Sequence, residues 1–181
     1  MYQTNPTKLS PLPTTFAPPA ILLPPLPAGA PSRAATEADP CAFLTLEVLQ
    51  QVIDKVVESL AKAESDVNAN GTTGTYAIAA VANRDSLTQV HQDLLFLQSW
   101  LRNFGLDTPF VTNTSAAFSI HSHVREAVYL LHHARHWTTI SVVYHKSSDA
   151  FDSYSLTSEA LGLAEALSEQ AGRCYMRDYF P

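Results

Sequence analysis

Cys41, His136 and Asp152 are the side chains whose types and order best fit covalent chemistry. A thiol attacks a carbonyl as the thiolate, so it needs an imidazole to take its proton. The imidazole in turn needs an acceptor that fixes its tautomer. Cys41 follows Asp39-Pro40, which fit an N-cap and a first helical position. The unpaired N–H groups and dipole of a helix start favour a thiolate there. His136 opens the run HWTTISVVY, and Asp152 lies in the segment after it. In a hairpin turning near His145, Asp152 faces Thr138, two residues from His136 on the same face. A one-residue shift of the turn changes that facing.

The elements that must position these residues follow from local pattern. Leu46, Leu49, Ile53, Val56 and Leu60 have helical spacing, which predicts a helix from about 40 to 63. Residues 65 to 74 read as a polar loop, and 76 to 82 as a short apolar strand or helix. Ser86 and Gln89 form a capping-box pattern ahead of a stripe of Leu87, Val90, Leu94, Leu97, Leu101 and Phe104, with Gly105 as the stop. Short strands are predicted at 110–112, 117–120 and 127–131. The β-branched and aromatic run 136–144 reads as the strongest strand, paired with 150–156 and followed by a helix over 158–171. That order predicts an α+β fold, with N-terminal helices packed on a mostly antiparallel sheet.

The run EAVYLLHHARHWTTISVVYHKSSDAFDSYSL resembles the histidine hairpin of Josephin domains, papain-like cysteine peptidases that remove ubiquitin. His136-Trp137 and Asp152-Ser153 occupy the family's motif positions. The helix ending Leu101-Arg102-Asn103-Phe104-Gly105-Leu106 and the segment opening at Cys41-Ala42 are similar to its other elements. The resemblance covers roughly residues 39 to 167. It implies a papain-like fold, Cys41 as nucleophile, His136 as general base and acid, Asp152 as orienting group, and ubiquitin or a ubiquitin-like conjugate as substrate. One departure stands out. No Gln precedes Cys41, and Glu37 donates no hydrogen bond to an oxyanion unless protonated. An oxyanion-hole donor is worth about 3 kcal/mol. The alternative is therefore a non-catalytic papain-like interaction module. A rival enzyme reading resembles the SUMO-protease clan and uses Gln170 and Cys174, but only seven residues follow Cys174. A protease that processes its own polyprotein is a further variant.

Composition limits the remaining classes. Nine of the 12 prolines lie within the first 31 residues, so residues 1–33 read as a disordered proline-rich tail and 34–181 as one domain. The tail suits a polyproline-II ligand for SH3- or WW-type grooves, or a plain spacer. The net charge is -6 and no basic run exists, which argues against nucleic acid. The apolar stretch 20–26 is too short to span a membrane and lacks a basic leader. Two cysteines make no disulfide framework, so they read as free thiols of a cytoplasmic or nuclear protein. His121, His123, His132, His133 and His136 are dense, but no Cys or carboxylate cluster completes a tetrahedral set. No metal or other cofactor is expected. Glu58, Glu64 and Asp66 read as solvated charges at a helix end and its loop.

Overall fold

Along each of four long helices, buried residues recur at alternating steps of three and four. That alternation, the seam of a coiled-coil-like bundle, decides the fold. The computed structural model describes residues 40–74, 76–103 and 114–177. A short 3-10 helix (Pro40–Phe43) precedes α1 (Leu46–Asn70), α2 (Ala77–Asn103), α3 (Thr114–His145) and α4 (Ser148–Met176). The α1 seam is Leu49, Val52, Val56, Ser59, Ala63 and Asp66, and the α2 seam is Ala80, Asn83, Leu87, Val90, Leu94, Leu97 and Leu101. In α3 it is Ala117, Ile120, Val124, Ala127, Leu131, Ala134, Thr138 and Ser141. In α4 it is Ala150, Ser153, Thr157, Ala160, Ala164, Leu167, Ala171 and Cys174.

Neighbouring helices run antiparallel. His132 meets Glu165 and Phe118 meets Tyr175 across α3 and α4, while Phe96 meets His123 across α2 and α3. Ser59 meets Thr157 across α1 and α4, which closes the ring. Helix ends are set by local chemistry. Thr45 caps α1 by accepting from the Val48 N–H at 3.0 Å. Gly71, at φ 76°, ends it, and the Gly71 N–H donates to the Val67 carbonyl. Lys146 adopts φ 51° in the two-residue turn from α3 to α4, and Ser147 caps α4 through the Ala150 N–H at 3.0 Å.

These helices correct the α+β, papain-like expectation: the described residues contain no strand and no sheet. The Josephin-like resemblance and the papain-like fold fall with it. The segments 117–120, 127–131, 136–144 and 150–156 are all helical, while 110–112 lies outside the described residues. Within HWTTISVVY the Thr138 hydroxyl donates to the Ala134 carbonyl at 2.9 Å and the Thr139 hydroxyl to the Arg135 carbonyl at 2.9 Å. Back-bonding of this kind satisfies threonine hydroxyls within a helix. The capping-box pattern at Ser86 lies inside α2, which starts nine residues earlier. The expected loop at 65–74 is helical as far as Asn70. The proline-rich segment 1–33 and its SH3- or WW-type role lie outside the described residues.

The two ends of the bundle differ in chemistry. Toward the 3-10 helix, the core holds Leu44, Leu49, Leu94, Leu97, Leu101, Ile120 and Leu167. Toward the α3–α4 turn, it holds Ser59, Asp66, Asn83, Thr138, Ser141, Ser153 and Thr157, with alanines and Val56, Val67 and Leu87 among them. Gly172 allows the close approach of α4 to α3 near the first end. A Cβ there would stand 3.1 Å from the His121 ring, whose Nδ1 lies 2.9 Å from the Ser168 carbonyl.

Candidate functional site

The residues expected to do covalent chemistry are spread over the length of the bundle. Cys41, in the 3-10 helix, is joined by a disulfide to Cys174 near the end of α4, and both are 1% exposed. No free cysteine exists in this structure. Asp152 lies 22 residues before Cys174 on α4, roughly 33 Å along the helix at 1.5 Å per residue. Its carboxylate pairs with Lys62 of α1 at 3.2 Å. His136 lies exposed on α3, its ring edge-on to Trp137 at 5.6 Å. The register through His132 and Glu165 puts it roughly 20 Å from the disulfide along the bundle axis. The structure thus brings together Cys41 and Cys174, the two rival nucleophiles, and places neither beside His136 or Asp152.

The disulfide is set by the helix ends. Cys174 continues the α4 seam from Ala171, so its side chain faces inward. Pro40–Phe43 folds back over that end, with the Leu44 N–H donating to the Cys41 carbonyl at 3.0 Å and Leu44 fully buried. The result is a covalent clasp between the first described turn and the last helix.

Far from the clasp, two polar clusters occupy the interior. The Ser59 hydroxyl stands 2.7 Å from the Thr157 hydroxyl and 3.1 Å from that of Ser153, to which the Asn83 amide also donates at 3.1 Å. Asn83 Oδ1 and Ser141 Oγ are buried without a partner among the described residues. Two turns further along α1, Asp66 is buried rather than solvated. Its carboxylate accepts from the Ser147 hydroxyl at 2.8 Å and the Asn70 amide at 2.9 Å, and lies 3.3 Å from His145 Nδ1. These contacts tie α1 to the turn between α3 and α4.

Beside them, the surface carries a small charge network. Lys62 sits 3.3 Å from Asp149 and 3.2 Å from Asp152, and the Ser65 hydroxyl donates to Asp149 at 2.6 Å. The hydrogen bonds to Asp152 and Asp149 hold the Lys62 ammonium above the usual lysine range. The Ser65 hydroxyl, and then Lys62, hold the Asp149 carboxyl below the usual carboxylate range. Among the described residues no cluster of three or more His, Cys, Asp and Glu side chains could hold a metal.

The least conventional surface is the outer side of α3. Opposite its seam runs a second stripe with the same alternation, Tyr129, His133, His136, Ile140 and Val143, with Tyr144 beside its last member. Tyr129, Val143 and Tyr144 are 63%, 55% and 52% exposed. Tyr144 stacks on Tyr76 with ring centroids 3.8 Å apart, and Phe151 of α4 lies level with Val143. Between Glu126 and Lys146 the only Asp, Glu, Lys or Arg of α3 is Arg135, which follows seam residue Ala134 and so lies off this stripe. The far half of the bundle therefore has many polar and small groups inside and several aromatic groups outside, against the usual tendency. Sequence reasoning assigned HWTTISVVY to a strand and missed this stripe. The signal was there: from Ala127 to Tyr144 α3 carries a single Asp, Glu, Lys or Arg, namely Arg135, whereas a helix covered on one face only is charged on the other.

Comparison with family models, curated proteins and solved structures found no match.

Proposed function

We propose that this chain is a non-catalytic binding module, a disulfide-clasped four-helix bundle that presents a helix face to a macromolecular partner. The observation that carries the reading is the engagement of both cysteines in one buried disulfide, which leaves no thiolate for attack on a carbonyl. The open aromatic stripe of α3 supports a binding role, because exposed apolar patches rimmed by polar residues mark interaction sites. The disulfide also favours an oxidising compartment, such as the secretory lumen or the cell exterior, over the cytoplasm or nucleus. No helix among the described residues is long and apolar enough to cross a membrane.

Thiol counting by mass spectrometry tests this. Full-length protein treated with iodoacetamide, native and then denatured, should gain no adduct until it is reduced. It should then gain two. In parallel, a ubiquitin-derived electrophilic probe should leave the folded protein unmodified. Alkylation of a single cysteine without reductant, or capture of the probe at Cys41 or Cys174, would refute the reading.

A further inference from the structure

We propose that Asn70, at the end of α1, is a glycosylation site that carries an oligosaccharide on its side-chain amide. The inference goes beyond the binding-module reading, and it rests on the oxidising compartment that the buried disulfide favours.

The sequence supplies the acceptor. Asn70-Gly71-Thr72 fits the triplet Asn-X-Ser/Thr, with X other than proline, that transferases of the secretory lumen recognise. Asn5-Pro6-Thr7 is barred by its proline, and besides Asn70 only Asn113, in Asn113-Thr114-Ser115, heads such a triplet. The structure supplies the access. Asn70 is the last residue of α1, and residues 68–74 are all exposed. Gly71, at φ 76°, turns the chain out of the helix. A Cβ built on Gly71 or Gly74 would meet nothing within 4 Å, so the space around the triplet is open. An attached sugar belongs in such a place, on a surface loop of a protein exposed to an oxidising lumen. The disulfide and the exposed triplet are independent features that point to the same compartment.

The donor is an oligosaccharide carried on a polyprenyl diphosphate. The Asn70 amide nitrogen attacks the anomeric carbon, a C–N bond forms, and the C–O bond to the diphosphate breaks. The amide gives up one proton, which the released diphosphate takes up. The folded protein accommodates the product. Asn70 Nδ2 donates to the Asp66 carbonyl and to Asp66 Oδ1, both at 2.9 Å. The substituted amide keeps one N–H, which serves one of these two acceptors. The Ser147 hydroxyl still donates to the Asp66 carboxylate at 2.8 Å. A plain helix-end asparagine would need the Asp66 contacts alone. Thr72 has no part in those two bonds, so the demand for a hydroxyl at position 72 separates the two roles.

Full-length protein isolated from the cells that make it reads the outcome. Peptide N-glycosidase should increase its gel mobility, and peptide mass spectrometry should then find aspartate in place of asparagine at position 70. An Asn113→Gln variant returned to those cells should keep a glycosidase-sensitive shift, which Asn70 alone can then supply. In that background Asn70→Gln and Thr72→Ala should each abolish the shift, whereas Thr72→Ser, which retains the hydroxyl, should preserve it. Both Thr72 variants leave the Asn70 amide in place, so a change of fold does not explain a difference between them. An unmodified Asn70, or a shift that survives Thr72→Ala, would overturn the proposal. The thiol count of the same sample separates the failures. A bare Asn70 beside an intact disulfide refutes the glycan alone, and a bare Asn70 beside free thiols refutes the compartment as well.

Discussion

Opening the Cys41–Cys174 clasp should cost this protein much of its stability, and the size of the loss follows from topology. The bridge closes a loop spanning 133 residues, nearly the whole length of the bundle. In the chain-entropy description, closing a loop of that length removes about 5 kcal/mol of freedom from the unfolded ensemble. Native-state relaxation and residual structure in the unfolded chain usually lower the measured value to about 2–4 kcal/mol. Total stability of a domain this size is about 5–15 kcal/mol, so the loss should be plain in a denaturant titration. The assay is urea unfolding followed by circular dichroism, with and without dithiothreitol, alongside a Cys41→Ala/Cys174→Ala double variant. Reduction should move the midpoint down and raise the slope, because the reduced chain unfolds to a more expanded state. The double variant should resemble the reduced protein, with a further loss from the two cavities left at buried positions. Identical midpoints and slopes in both redox states would refute the argument, because the bridge would then constrain nothing that unfolding releases.

Three other perturbations probe the far end of the bundle. Ser59→Ala removes the hydroxyl shared by Ser153 and Thr157 in a buried site, and should cost about 1–2 kcal/mol in the same titration. Asp66→Ala strips Ser147, Asn70 and His145 of their common acceptor, and should cost about 3 kcal/mol; a loss below that of Ser59→Ala would contradict the placement of this carboxylate in the interior. The carboxyl of Asp149 is held below its ordinary 3.8 by Ser65 and then Lys62. A depressed folded-state value means that its stabilisation is present above 3.8 and is lost as pH falls through the folded value. Urea midpoints of wild type should therefore drop more steeply than those of Asp149→Asn below about pH 4, and parallel curves would exclude the contribution.

What the sequence revealed of the fold depended on residue size. The α2 stripe of Leu87, Val90, Leu94, Leu97 and Leu101 reads directly as a helix, and those five side chains are buried. In α3 and α4 the corresponding positions are Ala134, Thr138, Ser141, Ala150, Ser153 and Thr157, which a search for large apolar residues passes over. The β-branched content of HWTTISVVY then decided in favour of a strand, although propensity of that kind yields to tertiary packing. Counting alanine, serine and threonine as interior residues recovers an unbroken alternation of three and four in both helices. The disulfide was hidden for a different reason. Cys41 and Cys174 meet only once the four helices are known to close a ring, and nothing local to either cysteine signals it. Asp66 was misplaced because carboxylates are seldom buried, and its partners His145 and Ser147 lie 79 and 81 residues away in sequence.

The polar interior and the aromatic exterior of the far half have a common physical cause, which is the rotation of α3 about its own axis. Turned by half a revolution, α3 would bury Tyr129, Ile140 and Val143 and expose Thr138 and Ser141, the arrangement hydrophobicity alone prefers. Volume forbids it. The facing seam positions are Ala80 and Asn83 on α2 and Ala150, Ser153 and Thr157 on α4, and helices lined by such small groups leave no room for aromatic rings. Overpacking a close-fitted core costs about 1–3 kcal/mol per misfit side chain, and a half-turn of α3 would bring in several misfits at once. The hydrogen bonds of Asp66 with Ser147 and of Ser59 with Ser153 and Thr157 would be lost if the α3–α4 turn followed that rotation. Small residues inside therefore hold the aromatic stripe outside, and the weakness they impose on this end of the core is balanced by the clasp at the other.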